Sequence, residues 1–169
     1  MKKKRHIHGL SGRGGAWRSS LRPIATPCRA VTALDAEALA ALLYEGYRGT
    51  IDDDGDTPEQ ALAEIRGVFD GKYGPAILEA CVAVEREGQL IAAALMCDWN
   101  EWDEIAAGPL VAYVVVHPGA RGQGHGIAVM NAALTRLADA RWGRVYAVIT
   151  VGNAPSEALF GKLGFKLLD

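Results

Sequence analysis

The residues from Val116 to Gly126, VHPGARGQGHG, combine a fixed positive charge with closely spaced glycines. An apolar, β-branched run, Leu110 to Val116, precedes them, and a segment with helical periodicity, Ile127 to Arg141, follows. A strand, a glycine-rich turn and a helix are therefore expected in that order. The first N–H groups of a helix have no partner within it and attract anions, so this turn is predicted to hold a phosphate group.

The individual side chains of the turn favour a diphosphate. Gly122, Gly124 and Gly126 have no Cβ, so a phosphate could come close to the backbone, and Arg121 adds a forked cation. A Walker-type loop is excluded because no Lys-Ser or Lys-Thr follows the glycines. A dinucleotide fingerprint is excluded because neither Gly122 nor Gly124 has a glycine at the required sixth position.

The turn closely resembles the coenzyme A loop of the GNAT acetyltransferase superfamily. That family carries V-x-P-x-x-[RQ]-x-x-G-x-[GA] between its fourth strand and its third helix. The matching residues here are Val116, Pro118, Arg121, Gly124 and Gly126. The resemblance implies acetyl-CoA as cosubstrate and no metal. The alternative is a plain glycine turn ahead of an ordinary helix.

A second segment resembles the same family. A strand-like run, Val145 to Val151, leads into NAPSEALFGKLGF, in which Ser156 to Leu163 is predicted to form a short helix that Gly164 ends. This matches the family signature N-x-x-[AS]-x-x-[LF]-[YF]-x-K-x-G-F. In the family the Asn side chain, here Asn153, hydrogen-bonds the pantetheine arm of the cofactor.

The resemblance also implies which residues contact the cofactor. In the family the pantetheine arm pairs with the exposed edge of the fourth strand, like an added strand. The implied cofactor-binding residues are Val114, Val115, Val116, Arg121, Gly122, Gln123, Gly124, His125, Gly126, Asn153 and Phe160.

No catalytic residue is determined. Phe160 stands where the family commonly has a Tyr that protonates the leaving thiolate, and Phe has no proton to give. Three explanations stay open: the thiolate leaves unaided, Ser156 or a water replaces the Tyr, or the protein binds acetyl-CoA without efficient transfer. Glu101, Asp103 and Glu104 are weak candidates for the general base, and a solvated acidic loop explains them equally well.

The acceptor is predicted to be an amine. Four carboxylates, Asp52, Asp53, Asp54 and Asp56, follow the first predicted helix, in a loop that borders the acceptor site in the family. Two acidic loops beside one groove would favour a cationic amine. A solvated surface without selectivity is the alternative.

The remaining elements fit an α/β (α+β, three-layer) GNAT fold, with a mixed central sheet of about six strands flanked by helices. Helices are predicted over Ala33 to Tyr47 and from Thr57-Pro58 to about Asp70. Strands are predicted over Ala80 to Arg86 and Gln89 to Cys97. Phe165 to Asp169 leaves room for one short strand at most, so the family's last strand is expected to be absent or supplied by another chain.

Composition limits the domain organisation and the partners. At 169 residues with half of them hydrophobic, residues 21–169 are predicted to form a single domain behind a disordered, basic extension over residues 1–20. The net charge of −2 gives no reason to expect nucleic-acid binding. No apolar run reaches the roughly 18 residues of a membrane span. The odd number of cysteines, three, argues against a disulfide framework and favours the cytoplasm. A homodimer is compatible with the resemblance.

The sequence therefore predicts an acetyl-CoA-dependent N-acetyltransferase that acts on a primary amine of a small molecule or a protein. A non-catalytic acyl-CoA-binding or regulatory protein of the same fold is the alternative, suggested by Phe160 and the short C-terminus. A nucleic-acid-associated factor that uses the basic residues 1–20 is a third hypothesis.

Overall fold

The computed structural model of the protein describes residues 3–12, 17, 21, 26–99 and 107–168. These residues contain seven strands: β1 (Arg5–Ser11), β2 (Arg29–Ala30), β3 (Val82–Arg86), β4 (Gln89–Trp99), β5 (Gly108–Val116), β6 (Arg144–Thr150) and β7 (Lys166–Leu167). They also contain the α-helices α1 (Ala36–Tyr47), α2 (Pro58–Phe69), α3 (His125–Asp139) and α4 (Ala154–Lys162). The predicted mixed sheet flanked by helices is confirmed.

All seven strands belong to one sheet, in the order β2-β3-β4-β5-β6-β1-β7. The pairing of β5 with β6 is parallel, and every other pairing in the sheet is antiparallel. Two apolar clusters cover its faces: α1 and α2 contribute to one, and α3 and α4 to the other. The result is the three-layer arrangement expected from the sequence.

The sequence of strand β4 shows why helices must cover both faces of the sheet. Ala92, Ala94 and Met96 belong to the cluster under α3, whereas Ala93 and Leu95 belong to the cluster under α1 and α2. Because successive side chains of a strand point to opposite faces, a run without polar residues must be buried on both sides.

Local signals in the sequence set the starts of the helices. Thr57 caps α2, since its hydroxyl accepts from the Gln60 N–H and the Gln60 side chain accepts from the Thr57 N–H. This is the predicted capping box. The equivalent box of Thr32 and Asp35 begins a short 3₁₀ turn, so α1 starts at Ala36, three residues later than predicted.

The disordered extension predicted for residues 1–20 is wrong for residues 5–11, which form β1. This strand pairs along its whole length with β6, from Arg5 opposite Thr150 to Ser11 opposite Arg144. Its other edge pairs with β7, and Leu10 is buried in the core. The basic composition does not prevent this, because ladder hydrogen bonds use the main chain and a buried β6 edge needs partners for its N–H and C=O groups.

The same strand corrects the expectation about the end of the sheet. After Phe165 the chain forms only the two-residue β7, as predicted. The place beside β6 is occupied by β1, which lies between β6 and β7. The sheet is therefore completed from within the chain.

Candidate functional site

The parallel strands β5 and β6 separate part-way along their length. Their pairing covers only Leu110 with Tyr146 and Val111 with Ala147. Beyond this point β5 continues to Val116, held on its other edge by β4. The His117 N–H donates to the Ile91 carbonyl of β4 at 2.8 Å. Since alternate residues of a strand direct their polar groups to opposite edges, Val114 and Val116 direct theirs towards the gap that β6 leaves.

The glycine-rich turn closes one end of this gap. Gly122 and Gly124 have φ angles of +75° and +83°, in the left-handed region that favours glycine. Gly124 is the N-cap of α3, which begins at His125. The first N–H groups of α3 therefore have no intrahelical partner, and they lie at the positive end of the helix dipole. An added Cβ at Gly122 or Gly124 would meet nothing within 4 Å, so both glycines lie open to the gap.

Together these elements form a cavity of about 630 Å³, the Gly-loop groove. Its walls are the open half of β5, the turn before α3, the end of α1 and the start of α4. It brings together most of the predicted cofactor-binding residues, namely Val114, Val115, Val116, Arg121, Gly122, Gly124, His125, Gly126 and Asn153.

Two predicted cofactor-binding residues do not line this groove. Gln123 is exposed, and its side-chain amide donates to the Gly119 carbonyl at 3.4 Å. Phe160 is 4% exposed and packs edge-to-face on Phe165, with ring centroids 5.0 Å apart. The preceding residue, Leu159, faces the groove instead, because consecutive helical residues point about 100° apart. The prediction that Phe160 occupies an acid position beside the cofactor is corrected accordingly.

Two basic side chains of the groove are already engaged by the protein. The Arg121 guanidinium donates through Nη2 to the Gly46 carbonyl at 2.6 Å, which ties the turn to α1. His125, one of the predicted cofactor-binding residues, is 6% exposed, and its Nε2 lies 3.3 Å from Arg86 Nη2. The glycine at 46 is required here, since a Cβ would lie 2.3 Å from the Val115 side chain.

Asn153 holds the start of α4. Its Oδ1 accepts from the Ser156 N–H at 3.1 Å, as an N-cap does, and its Nδ2 donates to Asp52 Oδ2 at 2.6 Å. One amide proton of Asn153 is left for a ligand. The predicted contact to a pantetheine arm thus competes with no existing bond but depends on that single N–H.

A second cavity, of about 370 Å³, shares lining residues with the Gly-loop groove. We call it the aromatic pocket. Its aromatic lining residues are Tyr44, Tyr47, Tyr73, Trp99 and Tyr113. Several of these rings pack on one another, with Tyr73 stacked on Trp99 at 5.9 Å and Tyr47 edge-on to Tyr113 at 6.1 Å.

Glu64 forms part of the wall of the aromatic pocket. The hydroxyls of Tyr73 and Tyr113 donate to its Oε1 at 2.7 and 2.8 Å, and Lys72 pairs with its Oε2. Burial raises the pKa of this carboxyl, but the hydrogen bonds from Lys72 and the two tyrosines outweigh burial and leave its pKa below the ordinary value. Glu64 is therefore a fixed anion at neutral pH.

Tyr47 and Asp52 line both cavities. Asp52 accepts from Thr150 Oγ1 at 2.6 Å through one oxygen and from Asn153 through the other. Burial, with the neighbouring charge of Asp52, raises the pKa of Tyr47, so its phenol stays protonated. The Gly-loop groove and the aromatic pocket thus meet at a phenol and a carboxylate.

The sequence identified the groove and Asp52 but not the other residues around this junction. Glu101, Asp103 and Glu104, the predicted base candidates, lie outside the described residues. Tyr47, Glu64 and Tyr113 were not singled out, although Tyr44 and Tyr47 share a helix face three residues apart, directly ahead of the acidic loop. That spacing was the available signal.

The family model that matches this arrangement is the acetyltransferase (GNAT) family, over residues 39–165. The chain belongs to the GNAT family. The match includes most of α1, all of α2 to α4 and both sides of the Gly-loop groove. A search of curated proteins gives no match.

Solved structures share the GNAT fold. PH1933 from Pyrococcus horikoshii OT3 has a TM-score of 0.70 at 17% identity, over 85% of this chain and 90% of that one. A ribosomal-protein-alanine N-acetyltransferase from Brucella melitensis has a TM-score of 0.60 at 25% identity, over 83% and 84%. AAC(6')-Iy, in complex with the bisubstrate analog CoA-S-monomethyl-acetylneamine, has a TM-score of 0.58 at 15% identity, over 83% and 90%. Some other matched chains are longer, and this GNAT chain spans 48% to 61% of them.

The described residues hold neither a metal-binding cluster nor a membrane-spanning helix. Within residues 3–12, 26–99 and 107–168 no set of three or more His, Cys, Asp or Glu side chains is arranged to hold a metal ion. No helix in the described part of the chain is long and apolar enough to span a bilayer.

Proposed function

We propose that this GNAT protein transfers an acetyl group from acetyl-CoA to a primary amine. The observation that carries the proposal is the early end of the β5–β6 pairing, which leaves the polar edge of Val114 to Val116 open beside the start of α3. A thioester cofactor with an extended amide-bearing arm and a diphosphate fits these two features together.

Two parts of acetyl-CoA, the diphosphate and the pantetheine arm, would have complementary surfaces. The diphosphate would lie on the N–H groups between Arg121 and Gly126, where left-handed glycines keep the approach clear. The pantetheine amides would pair with Val114 and Val116, and Asn153 would offer its free amide proton. AAC(6')-Iy, a protein of the same fold, was solved with a CoA-containing bisubstrate analog, which supports a CoA site in this type of fold.

The chemistry would be direct transfer. The acceptor's ammonium first loses one proton to solvent, and the neutral nitrogen attacks the thioester carbonyl. A C–N bond forms, the C–S bond breaks, the nitrogen loses its second proton, and the thiolate takes up one proton to give CoA. A backbone N–H on the open edge of β5 would stabilise the oxyanion.

Tyr47 would take the part of the Tyr that the family commonly has at the position of Phe160. It lines the Gly-loop groove and stays protonated, so it can donate a hydrogen bond to the departing sulfur. A thiolate with an ordinary pKa near 8.5 leaves readily with such a bond, without full proton transfer from the phenol.

The test is a mass-spectrometric screen of acetyl transfer from acetyl-CoA to pooled primary amines, including peptide amines. Acetylated product that requires the protein, and that is lost when Gly124 is replaced by Asp, would support the proposal. Tight acetyl-CoA binding by calorimetry without transfer to any amine would favour the non-catalytic acyl-CoA-binding alternative. Absence of acetyl-CoA binding would contradict both.

A further inference from the structure

Asp52 is a half-buried carboxylate whose partners are all neutral. It accepts from the Thr150 hydroxyl and from the Asn153 amide, both at 2.6 Å, and no Lys, Arg or His of the described residues forms an ion pair with it. Other acidic residues of the same cavity do have cations, since Asp54 pairs with Lys3 and Glu64 with Lys72. A partly desolvated charge without a counter-ion is costly, which makes Asp52 a natural partner for a cationic ligand.

The position of Asp52 is equally specific. With Tyr47, it lines both the Gly-loop groove and the aromatic pocket. A group that reaches the thioester from the aromatic pocket must therefore pass this carboxylate. The two hydrogen bonds fix its orientation, and each oxygen keeps a lone pair for a further donor.

The walls in front of Asp52 suit a cation with an apolar body. Rings of Tyr47 and Tyr113 lie in the aromatic pocket, and the faces of such rings attract ammonium groups. The Tyr73 ring is already occupied, since it stacks on Trp99 and Lys72 Nζ lies 5.2 Å from its centroid. Arg48 already covers the Tyr44 ring, with its guanidinium carbon 5.3 Å from the centroid.

Carboxylates outnumber cations among the residues that line the aromatic pocket. Arg5 and Arg48 are the cations among the lining residues, against the carboxylates of Asp52, Asp53, Asp54, Asp56 and Glu64. Because Lys3 and Lys72 pair with Asp54 and Glu64, the excess of negative charge is small, and a positive ligand is favoured at Asp52 itself rather than along the whole pocket.

We propose that Asp52 binds the ammonium group of the acceptor and that the aromatic pocket holds its carbon skeleton, so that the acceptors are alkylammonium compounds. This rests on the proposed acetyl transfer, and it adds the substrate class and the residue that recognises it. Neutral amines such as anilines are disfavoured, because they leave the Asp52 charge uncompensated.

The experiment measures binding without turnover, so that it does not depend on catalysis. The full-length protein is saturated with CoA, and n-butylamine and benzylamine are titrated at pH 7.5 by calorimetry or NMR. The corresponding alcohols, n-butanol and benzyl alcohol, are the neutral isosteres. The variants are Asp52→Asn, which keeps the shape, and Glu45→Gln, which removes the same charge from an exposed position of α1 outside both cavities.

In the wild type the amines should bind at least tenfold more tightly than the alcohols. Asp52→Asn should weaken amine binding at least tenfold and leave the alcohols unchanged, whereas Glu45→Gln should change amine binding less than twofold. CoA binding should stay within twofold in Glu45→Gln, and in Asp52→Asn the unchanged affinity for the alcohols at saturating CoA shows that the pocket is intact. A loss below threefold in a folded Asp52→Asn variant, or an equal loss in Glu45→Gln, would overturn the proposal.

Two further outcomes are also decisive. If Asp52→Asn does not fold, the wild-type preference between amine and alcohol decides, and equal affinities reject an ammonium site. If amines bind as expected but no amine is acetylated, the proposed transfer fails while the ammonium site stands.

Discussion

Gly124 has two properties that no other residue type supplies together at the start of α3. Its φ of +83° is unfavourable for most side chains, and its missing Cβ keeps the turn open. The position is therefore sensitive to both shape and charge, and two isosteric substitutions separate them.

Gly124→Asp should weaken acetyl-CoA binding at least tenfold, about 1.4 kcal/mol, because it puts a negative charge where the diphosphate would lie. Gly124→Asn has the same shape and also tolerates a positive φ, so it should lose clearly less affinity. Calorimetric titration of both folded variants measures the difference. Equal affinities of the two variants would argue against an anion at this turn.

Phe160 is a packing residue, and this changes what a hydroxyl should do there. In Phe160→Tyr the added oxygen enters the core beside Phe165 without an evident partner. We expect unfolding in urea to become easier by about 1–3 kcal/mol, with no gain in the rate of acetyl transfer. A variant of unchanged stability and faster transfer at low pH would restore the earlier idea of a missing acid at position 160.

At the scale of elements, β1 is the part of the sheet that depends most on tertiary context. The Lys4 carbonyl accepts from Val151 beyond β6, and the Ile7 carbonyl accepts from Leu168 beyond β7. By alternation the N–H of His8 is directed at β6 and that of Ile7 at β7. One edge of β1 is therefore hydrogen-bonded towards β6 and the other towards β7.

His8→Pro should remove one hydrogen bond to β6 and leave a carbonyl unpaired, at a cost of about 1–3 kcal/mol of folding free energy. His8→Val keeps the N–H and has a high strand propensity, so its stability should match or exceed that of the wild type. Urea unfolding followed by circular dichroism compares the three proteins. A His8→Pro variant as stable as His8→Val would mean that β1 contributes little to the sheet.

The elements also show how far the sequence alone could go. The Gly-rich turn, the capping box of α2 and the order from β3 to α4 rest on local patterns, and they were predicted to within a few residues. β1 has no such pattern, because Gly, Ser and basic residues surround it and only the β6 edge makes it a strand. Asp52 and Asn153 are far apart along the chain, so their contact follows from the fold and not from any motif.

For the molecule as a whole, cofactor binding should raise the free energy of unfolding. The Gly-loop groove is lined by α1, β5, α3 and α4, so a ligand there binds only the folded state. At acetyl-CoA concentrations of 100 times Kd, linkage adds about 2.7 kcal/mol. For a domain of this size that raises Tm by roughly 5 to 10 °C.

Differential scanning fluorimetry with increasing acetyl-CoA measures this shift. Gly124→Asp serves as the control and should need at least tenfold more ligand for the same shift. A wild-type Tm that does not move at millimolar acetyl-CoA would contradict the cofactor assignment.

The place of β1 between β6 and β7 has a consequence for how the protein is made. Residues 5–11 leave the ribosome well before residues 144–150, with which they pair. During synthesis this segment has no strand to join, and β6 later emerges with one edge exposed until the two meet. Such long-range closure is slow, and an unpaired edge in a nascent chain invites aggregation. The β6 side of the groove is thus among the last parts of the protein to form, and a bulky tag placed just ahead of residue 5 would interfere with that step first.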